Sequence, residues 1–289
     1  MFIADKFVYL ELQKTGGSHL LRLFDLYTDG HISGKHNCIS QKYLDRNIVG
    51  SIRNPWDWYV SLWGFGVDCK GAIRSRLCRN VDFGYYYRDL PRNMGKKSLV
   101  LKEWLLSIYH DLYKPVALWQ SLYQDVDNPE LFRNWLRLLL DFQRRYDVGE
   151  GYGFSPLSRT AGLMTYRYLR LYAAKWNDMK LYRDKRLSSN EGIAEFDREN
   201  NFTDYMIKSE SLEQDFISML VACGYVLDSG QRQIILDKQS DKTNVSSRHP
   251  VEYYYDQETI DLVAKRDRFL IEKYHYTPPA LKPVQEGGS

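Results

Sequence analysis

The stretch Phe7-Val8-Tyr9-Leu10-Glu11-Leu12-Gln13-Lys14-Thr15-Gly16-Gly17-Ser18-His19-Leu20-Leu21-Arg22-Leu23-Phe24 decides the fold. Its first six residues are β-rich and mostly apolar, the run stops at Lys14-Thr15-Gly16-Gly17-Ser18, and the residues after it return with helical spacing. Strand, glycine turn and helix follow one another. Such a turn presents backbone N–H groups at the positive end of a helix and can cradle a phosphate or sulfonate without any net charge on the protein. The NTPase loop GxxxxGK[ST] is not present, because Lys14 precedes the glycine pair, and the third glycine of GxGxxG is missing. Glycines at a strand-to-helix turn also serve backbone geometry alone; Lys14 and Ser18 beside them favour the anion reading.

A second copy of the pattern lies downstream. The apolar run Ile48-Val49-Gly50-Ser51-Ile52 ends at Arg53-Asn54-Pro55, and Trp56 to Phe65 reads as a helix with proline near its first turn. Ser61, eight residues after Arg53, falls about two turns along that helix. An arginine fork plus a serine hydroxyl makes a shell for a terminal phosphate. Two anion pockets on adjacent strand ends suit one ligand with two separated anionic groups. The competing reading pairs Arg53 with Asp57 as an ion pair at the helix start.

Working outward, residues 83–185 read as a helical, aromatic insertion, with Leu131 to Leu140 its clearest amphipathic piece. Asp204 to Lys208 reads as a late strand, followed by Ser211 as N-cap and a helix from Leu212 to Cys223 that ends at Gly224. A polar loop, Asp241 to His249, precedes a last helix over Asp256 to Tyr274, with Pro278-Pro279 beyond it. A chain of 289 residues with this pattern is expected to be one α/β domain carrying a helical insertion. With 44% hydrophobic and 27% charged residues it is neither disordered, collagen-like nor a membrane bundle. A formal charge of +3 is too small to argue for nucleic-acid binding, so any anion site is local. The 23 Tyr and 7 Trp suit amphipathic helix packing first and a ring-binding groove second. The opening Met1 to Lys6 lacks signal-peptide character and no apolar run reaches transmembrane length, so a cytoplasmic protein without a membrane span is expected. Cys38, Cys69, Cys78 and Cys223 lack metal-ligand spacing; a Cys69–Cys78 bridge is conceivable, but reduced thiols are expected. Gly287-Gly288-Ser289 reads as a flexible tail.

Phe7 to Leu20 resembles the 5′-phosphosulfate loop PKTGGTS of sulfotransferases that use 3′-phosphoadenosine 5′-phosphosulfate (PAPS), and Ile48 to Leu62 resembles their 3′-phosphate motif VRNPxDxxxSxY. Asp204 to Leu212 is similar to the family's later strand and E-x-L segment, and Thr243 to Arg248 with Tyr254 to Thr259 is similar to its C-terminal cofactor loop and last helix. These four islands cover about a third of the chain. Gln13 stands in place of the usual proline, Ser18 in place of threonine and Trp63 in place of tyrosine. The resemblance implies a P-loop-like three-layer sandwich around a mainly parallel central sheet, with the insertion binding the acceptor.

By the same resemblance Lys14 stabilises the departing 5′-phosphate, the backbone of Thr15, Gly16, Gly17, Ser18 and His19 holds the phosphosulfate, and Arg53, Ser61, Ser247 and Arg248 hold the 3′-phosphate. It implies sulfuryl transfer to a hydroxyl or amine of a carbohydrate or small-molecule acceptor, with PAP (3′-phosphoadenosine 5′-phosphate) as product. Sulfuryl transfer carries no requirement for the Mg²⁺ of kinases, so no metal is expected. The acceptor's proton needs a general base. His36 is the first choice, by analogy with carbohydrate-directed members, and His31, His19 and Glu11 are alternatives; His110, His249 and His275 read as structural. Two other functions fit parts of the sequence: a nucleotide or small-molecule kinase, and a non-catalytic nucleotide- or glycan-binding module.

Overall fold

A computed structural model describes residues 1–34, 39–82, 97–174, 179–237 and 248–281. It is an α/β protein built on a five-stranded sheet of order β3-β1-β2-β4-β5, with β1 Phe2–Ala4, β2 Phe7–Leu10, β3 Gly30–Ile32, β4 Asn47–Ile52 and β5 Tyr205–Lys208. β2, β4 and β5 are mutually parallel, with Phe7 opposite Asn47 and Val49 opposite Tyr205. The sheet is nevertheless mixed, which corrects the expectation of a mainly parallel one. β1 runs antiparallel to β2, Phe2 facing Tyr9, because only Asp5 and Lys6 separate them and a connection that short allows no crossover. β3 adds antiparallel to β1 at the exposed edge.

Alternation along the strands feeds two cores. Val8, Leu10, Ile48 and Ile52 join one cluster, while Phe7, Tyr9, Val49 and Ile207 join the other. Helix α1 (Gly17–Tyr27) covers the second cluster with Leu20, Leu23 and Phe24, whose ring lies 4.9 Å from Phe7 and 5.3 Å from Phe2. Helix α2 (Pro55–Val67) covers the first with Trp56, Trp58, Tyr59 and Trp63. Asn54 caps it by accepting from the Trp56 N–H, Pro55 opens its first turn and Asp57 complements its positive end.

The helical reading of the long middle segment holds where it is described. After α3 (Ala72–Cys78) come α4 (Lys97–Leu112), α5 (Val116–Ser121), α6 (Pro129–Leu140), α7 (Leu163–Tyr172), α8 (Met179–Arg183) and α9 (Asn190–Asn200). Their apolar faces merge with the sheet: Trp119, Trp135, Tyr152 and Tyr166 are buried in the same cluster as Val8 and Ile52. Trp56, Trp58, Trp63, Trp119 and Trp135 thus serve packing rather than a groove. The chain continues through α10 (Leu212–Ala222), α11 (Ser229–Asp237) and α12 (Val251–Tyr254) to two helices, α13 (Gln257–Arg266) and α14 (Arg268–Tyr274). The single last helix expected from the sequence breaks at Asp267. That fully buried carboxylate accepts from the Tyr59 hydroxyl (2.6 Å), the Thr165 hydroxyl (2.7 Å) and the Thr165 N–H (3.0 Å), so it is pulled into the core rather than continuing the helix. Ser211 occupies the N-cap position of α10, but its hydroxyl donates to Asp215 (3.0 Å) instead of capping the backbone. Cys69, Cys78 and Cys223 are free thiols.

Beneath the ends of β2 and β4 lies a buried hydroxyl network. The Ser51 hydroxyl meets Tyr9 Oη at 2.8 Å and Thr15 Oγ1 at 2.6 Å, and Thr15 also donates to the Leu12 carbonyl. From α7, Tyr172 Oη contacts the carbonyls of Leu10 (3.1 Å) and Ser51 (2.9 Å) and accepts from the Ser51 N–H. Ser51→Ala strands the Tyr9 hydroxyl and should lower unfolding free energy by roughly 1–3 kcal/mol in urea denaturation. An unchanged midpoint would show that the network bears no weight.

Candidate functional site

The turn between β2 and α1 is shaped by its backbone. Gly16, the N-cap residue, has φ +82°, and Lys14 adopts φ +65°, a left-handed conformation that costs energy for a residue with a side chain. A Cβ on Gly17 would stand 2.1 Å from Glu11 Oε1, so only glycine lets the turn close on that buried carboxylate. No side chain caps α1. The N–H groups of His19 and Leu20 both bond to the Gly16 carbonyl at 3.0 Å, leaving the leading amides of Gly17 and Ser18 as the helix's unsatisfied donors. The backbone expected to hold an anion from Thr15 to His19 therefore narrows at its last member, whose N–H is already engaged. Gln13 departs from the usual proline, but its carbonyl accepts from the Trp58 indole at 2.6 Å, which fixes the approach to the turn.

The second turn meets the first directly. Arg53 Nη1 donates to the Lys14 carbonyl at 3.1 Å, and its Nε donates to Asp57 Oδ2 at 2.6 Å, with Nη2 on the same oxygen. The helix-start ion pair weighed against a phosphate role is thus present, but it is shared. Arg248 Nη2 lies 3.1 Å from Asp57 Oδ1, while Arg248 Nη1 is buried with no hydrogen-bond partner. Three of the five guanidinium hydrogens of Arg53 are engaged, leaving one on each terminal nitrogen. Asp57, Ser61, Gly64 and Phe65 follow helical spacing along one side of α2. That side faces the turns: the Arg248 side chain comes within 4.0 Å of the Gly64 Cβ position, and Lys14 Nζ sits 3.9 Å above the Phe65 ring. Ser61, 8% exposed, lies between Asp57 and Phe65 on that side.

Burial, reinforced by the positive charges of Arg53 and Arg248, pulls the Lys14 ammonium down to about 8. Burial first, and then the Arg53 charge, also pulls Arg248 down, against the opposing pull of Asp57. Two arginines share the Asp57 carboxylate, and their charges bear on Lys14.

The later islands converge on the same place. Glu210 Oε1 accepts from the Asn54 N–H at 2.6 Å, Ser209 donates to the Ile52 carbonyl at 3.1 Å, and Leu212 packs against Gly16. Tyr255 donates to the Trp56 carbonyl (2.9 Å) and the Trp56 indole to the Ile260 carbonyl (3.2 Å). Among the proposed bases, Glu11 lies against Gly17 inside the turn. His19 bonds Glu213 Oε1 at 3.1 Å from the first turn of α1. His31 is exposed on β3 opposite Ile3, two strands from β2. His36 and Ser247 lie outside the described residues. Among the described residues no group of three or more His, Cys, Asp or Glu is placed to hold a metal ion, and no helix is long and apolar enough to cross a membrane.

Sequence reasoning missed Phe65 and Trp58, which carry no signal beyond aromatic residues in a helix, and the network under Ser51, whose one hint was a polar residue within an apolar strand. Asp57 stands between the two arginines, paired with each. Asp57→Asn keeps an acceptor for Arg53 and removes the competing charge, so PAP affinity measured by calorimetry should rise about fivefold; a fall would show that the carboxylate's alignment of the arginines outweighs its charge. No family model, curated protein or solved structure matches the chain.

Proposed function

We propose that the protein is a PAPS-dependent sulfotransferase, its sheet and flanking helices forming a P-loop-like sandwich that transfers a sulfuryl group to a hydroxyl or amine of a carbohydrate or small-molecule acceptor. The observation that carries this reading is the bond from Arg53 to the Lys14 carbonyl, which fuses two anion-seeking turns into one site, with Arg248 alongside. The donor chemistry fits a nucleotide bearing anions at both ends. The unpartnered Arg248 nitrogen and the two remaining Arg53 hydrogens suit a 3′-phosphate, and the uncapped α1 N-terminus with Lys14 suits a 5′-phosphosulfate.

Bound PAPS supplies a sulfonate already activated for transfer. The chain's own residues do the rest. The α1 amides and Lys14 hold negative charge where it grows on the leaving phosphate, so Lys14 acts most strongly in the transition state. Phe65 beneath Lys14 keeps water from one side of the ammonium. The acceptor's proton falls to His36, with Glu11, buried at the turn, as the carboxylate alternative beside His19 and His31.

The reading is tested by thermal unfolding with ligand. PAP in EDTA should raise the melting temperature by mass action, whereas stabilisation by ATP with Mg²⁺ and not by PAP would replace the sulfotransferase with a kinase. Incubation of extracts with PAPS should then yield products heavier by one sulfonate, and Lys14→Ala should cut turnover roughly a hundredfold or more with the fold intact.

The pH dependence follows from Lys14. Its ammonium is present below about pH 8 and lost above it, and PAP phosphates are fully ionised by then because their second pKa is about 6. PAP affinity should therefore fall as pH rises through 8, with proton uptake on binding. Lys14→Arg, which stays charged, should bind PAP without that slope. A slope that persists in Lys14→Arg would assign the titration to another group.

A further inference from the structure

Tyr253-Tyr254-Tyr255 is a run of three tyrosines whose hydroxyls each reach a different backbone carbonyl. Tyr253 donates to Asp127, Tyr254 to Val126 (3.0 Å) and Tyr255 to Trp56 (2.9 Å). The middle one has a second bond. Tyr254 Oη also accepts from the His249 N–H at 3.1 Å, so one hydroxyl bridges the turn between α5 and α6 to the peptide that follows Arg248.

Tyr254 is fully buried, its ring edge-on to Trp63 and Phe132 at 5.6 Å from each. Trp63, which stands where the 3′-phosphate motif has tyrosine, donates its indole N–H to the Leu122 carbonyl at 2.8 Å, at the entry to the same turn. The ring is thereby seated. Burial pushes the Tyr254 hydroxyl up, against the His249 N–H and the Arg248 charge, so it stays protonated and can accept and donate at once. Arg133 of α6 holds the backbone of the same residue, donating to the Tyr254 carbonyl at 3.0 Å. His249 is held again through its side chain: Nε2 meets Asp127 Oδ1 at 2.8 Å, and the ring lies 4.2 Å from Tyr253.

Arg248 depends on this support. Its side chain passes Gly64, one terminal nitrogen meets Asp57 at 3.1 Å and the other is buried without a partner. A long side chain with many rotamers is aimed only if the backbone it springs from is fixed. That backbone is fixed next door, by the Tyr254 bond to the His249 N–H and by Pro250, whose ring sets φ at −54°.

We infer that Tyr254 is a positioning residue: its hydroxyl, seated by Trp63 and assisted by His249, aims the Arg248 guanidinium at the 3′-phosphate of the nucleotide. The inference rests on the sulfotransferase reading for the identity of that phosphate. It goes beyond that reading by making the turn between α5 and α6, within the helical segment, a support for the Arg248 contact.

Calorimetry with PAP and adenosine 5′-phosphate on the whole protein tests it. Tyr254→Phe keeps the ring and removes both bonds, so PAP should bind about tenfold more weakly while adenosine 5′-phosphate binds as before. In an Arg248→Ala background the same substitution should cost nothing further, because both changes act through one contact. Tyr152→Phe, which removes another fully buried hydroxyl, bonded to the Ala161 carbonyl, should change neither affinity. If Tyr254→Phe fails to fold, His249→Ala, at an exposed position, carries the test with the same selective loss. Wild-type PAP affinity, an equal loss for both nucleotides, or a further loss in the Arg248→Ala background would overturn the inference and leave the sulfotransferase reading standing. A wild-type protein that binds the two nucleotides equally would remove that reading and the inference together.

Discussion

The site depends on like charges held together against their repulsion. Lys14, Arg53 and Arg248 converge, the two arginines sharing Asp57, and the cost is visible in the depressed ammonium of Lys14 and in an Arg248 nitrogen buried without a partner. Packing holds this arrangement. The Trp58 indole fixes Gln13, the Ser51 hydroxyl fixes Thr15, and the Arg53 fork bonds the Lys14 carbonyl, so the turns are locked to each other before any ligand arrives. Like charges held together in this way cost stability that opposite charge would offset.

The sheet explains why the two turns are neighbours. β2 and β4 are adjacent and parallel, so both chains leave the sheet at the same edge, and each continues into a helix whose first turn faces outward. β5 beside β4 brings Ser209, Glu210 and Leu212 to that edge as well. Residues separated by some two hundred positions in sequence thereby surround the start of α2. Tyr172, at the end of the helical segment, reaches under both strands, so that segment is part of the same core rather than an appendage.

What the sequence disclosed tracks how local the cause is. The glycine turn, the proline at the head of α2 and the amphipathic run that became α6 each write their structure into a few adjacent residues. β1 and β3 escaped notice because three residues are too few to show a period, and β1 is what made the sheet mixed. The break at Asp267 was illegible for another reason: it depends on Tyr59 and Thr165, more than a hundred positions away. At the site, Lys14 and Arg53 could be read from their motifs, whereas the sharing of Asp57 between two arginines required the fold. Arg248 was reached only through the family resemblance.

The central claim is that one ligand spans both turns, and calorimetry on adenosine 3′,5′-bisphosphate, adenosine 5′-phosphate and adenosine 3′-phosphate tests it most directly. If the turns act as one site, the bisphosphate should bind at least about a hundredfold tighter than either monophosphate, since each phosphate contributes its own charge-assisted contacts. Equal affinity for the bisphosphate and one monophosphate would mean that a single turn binds and that the convergence of Lys14, Arg53 and Arg248 has another purpose.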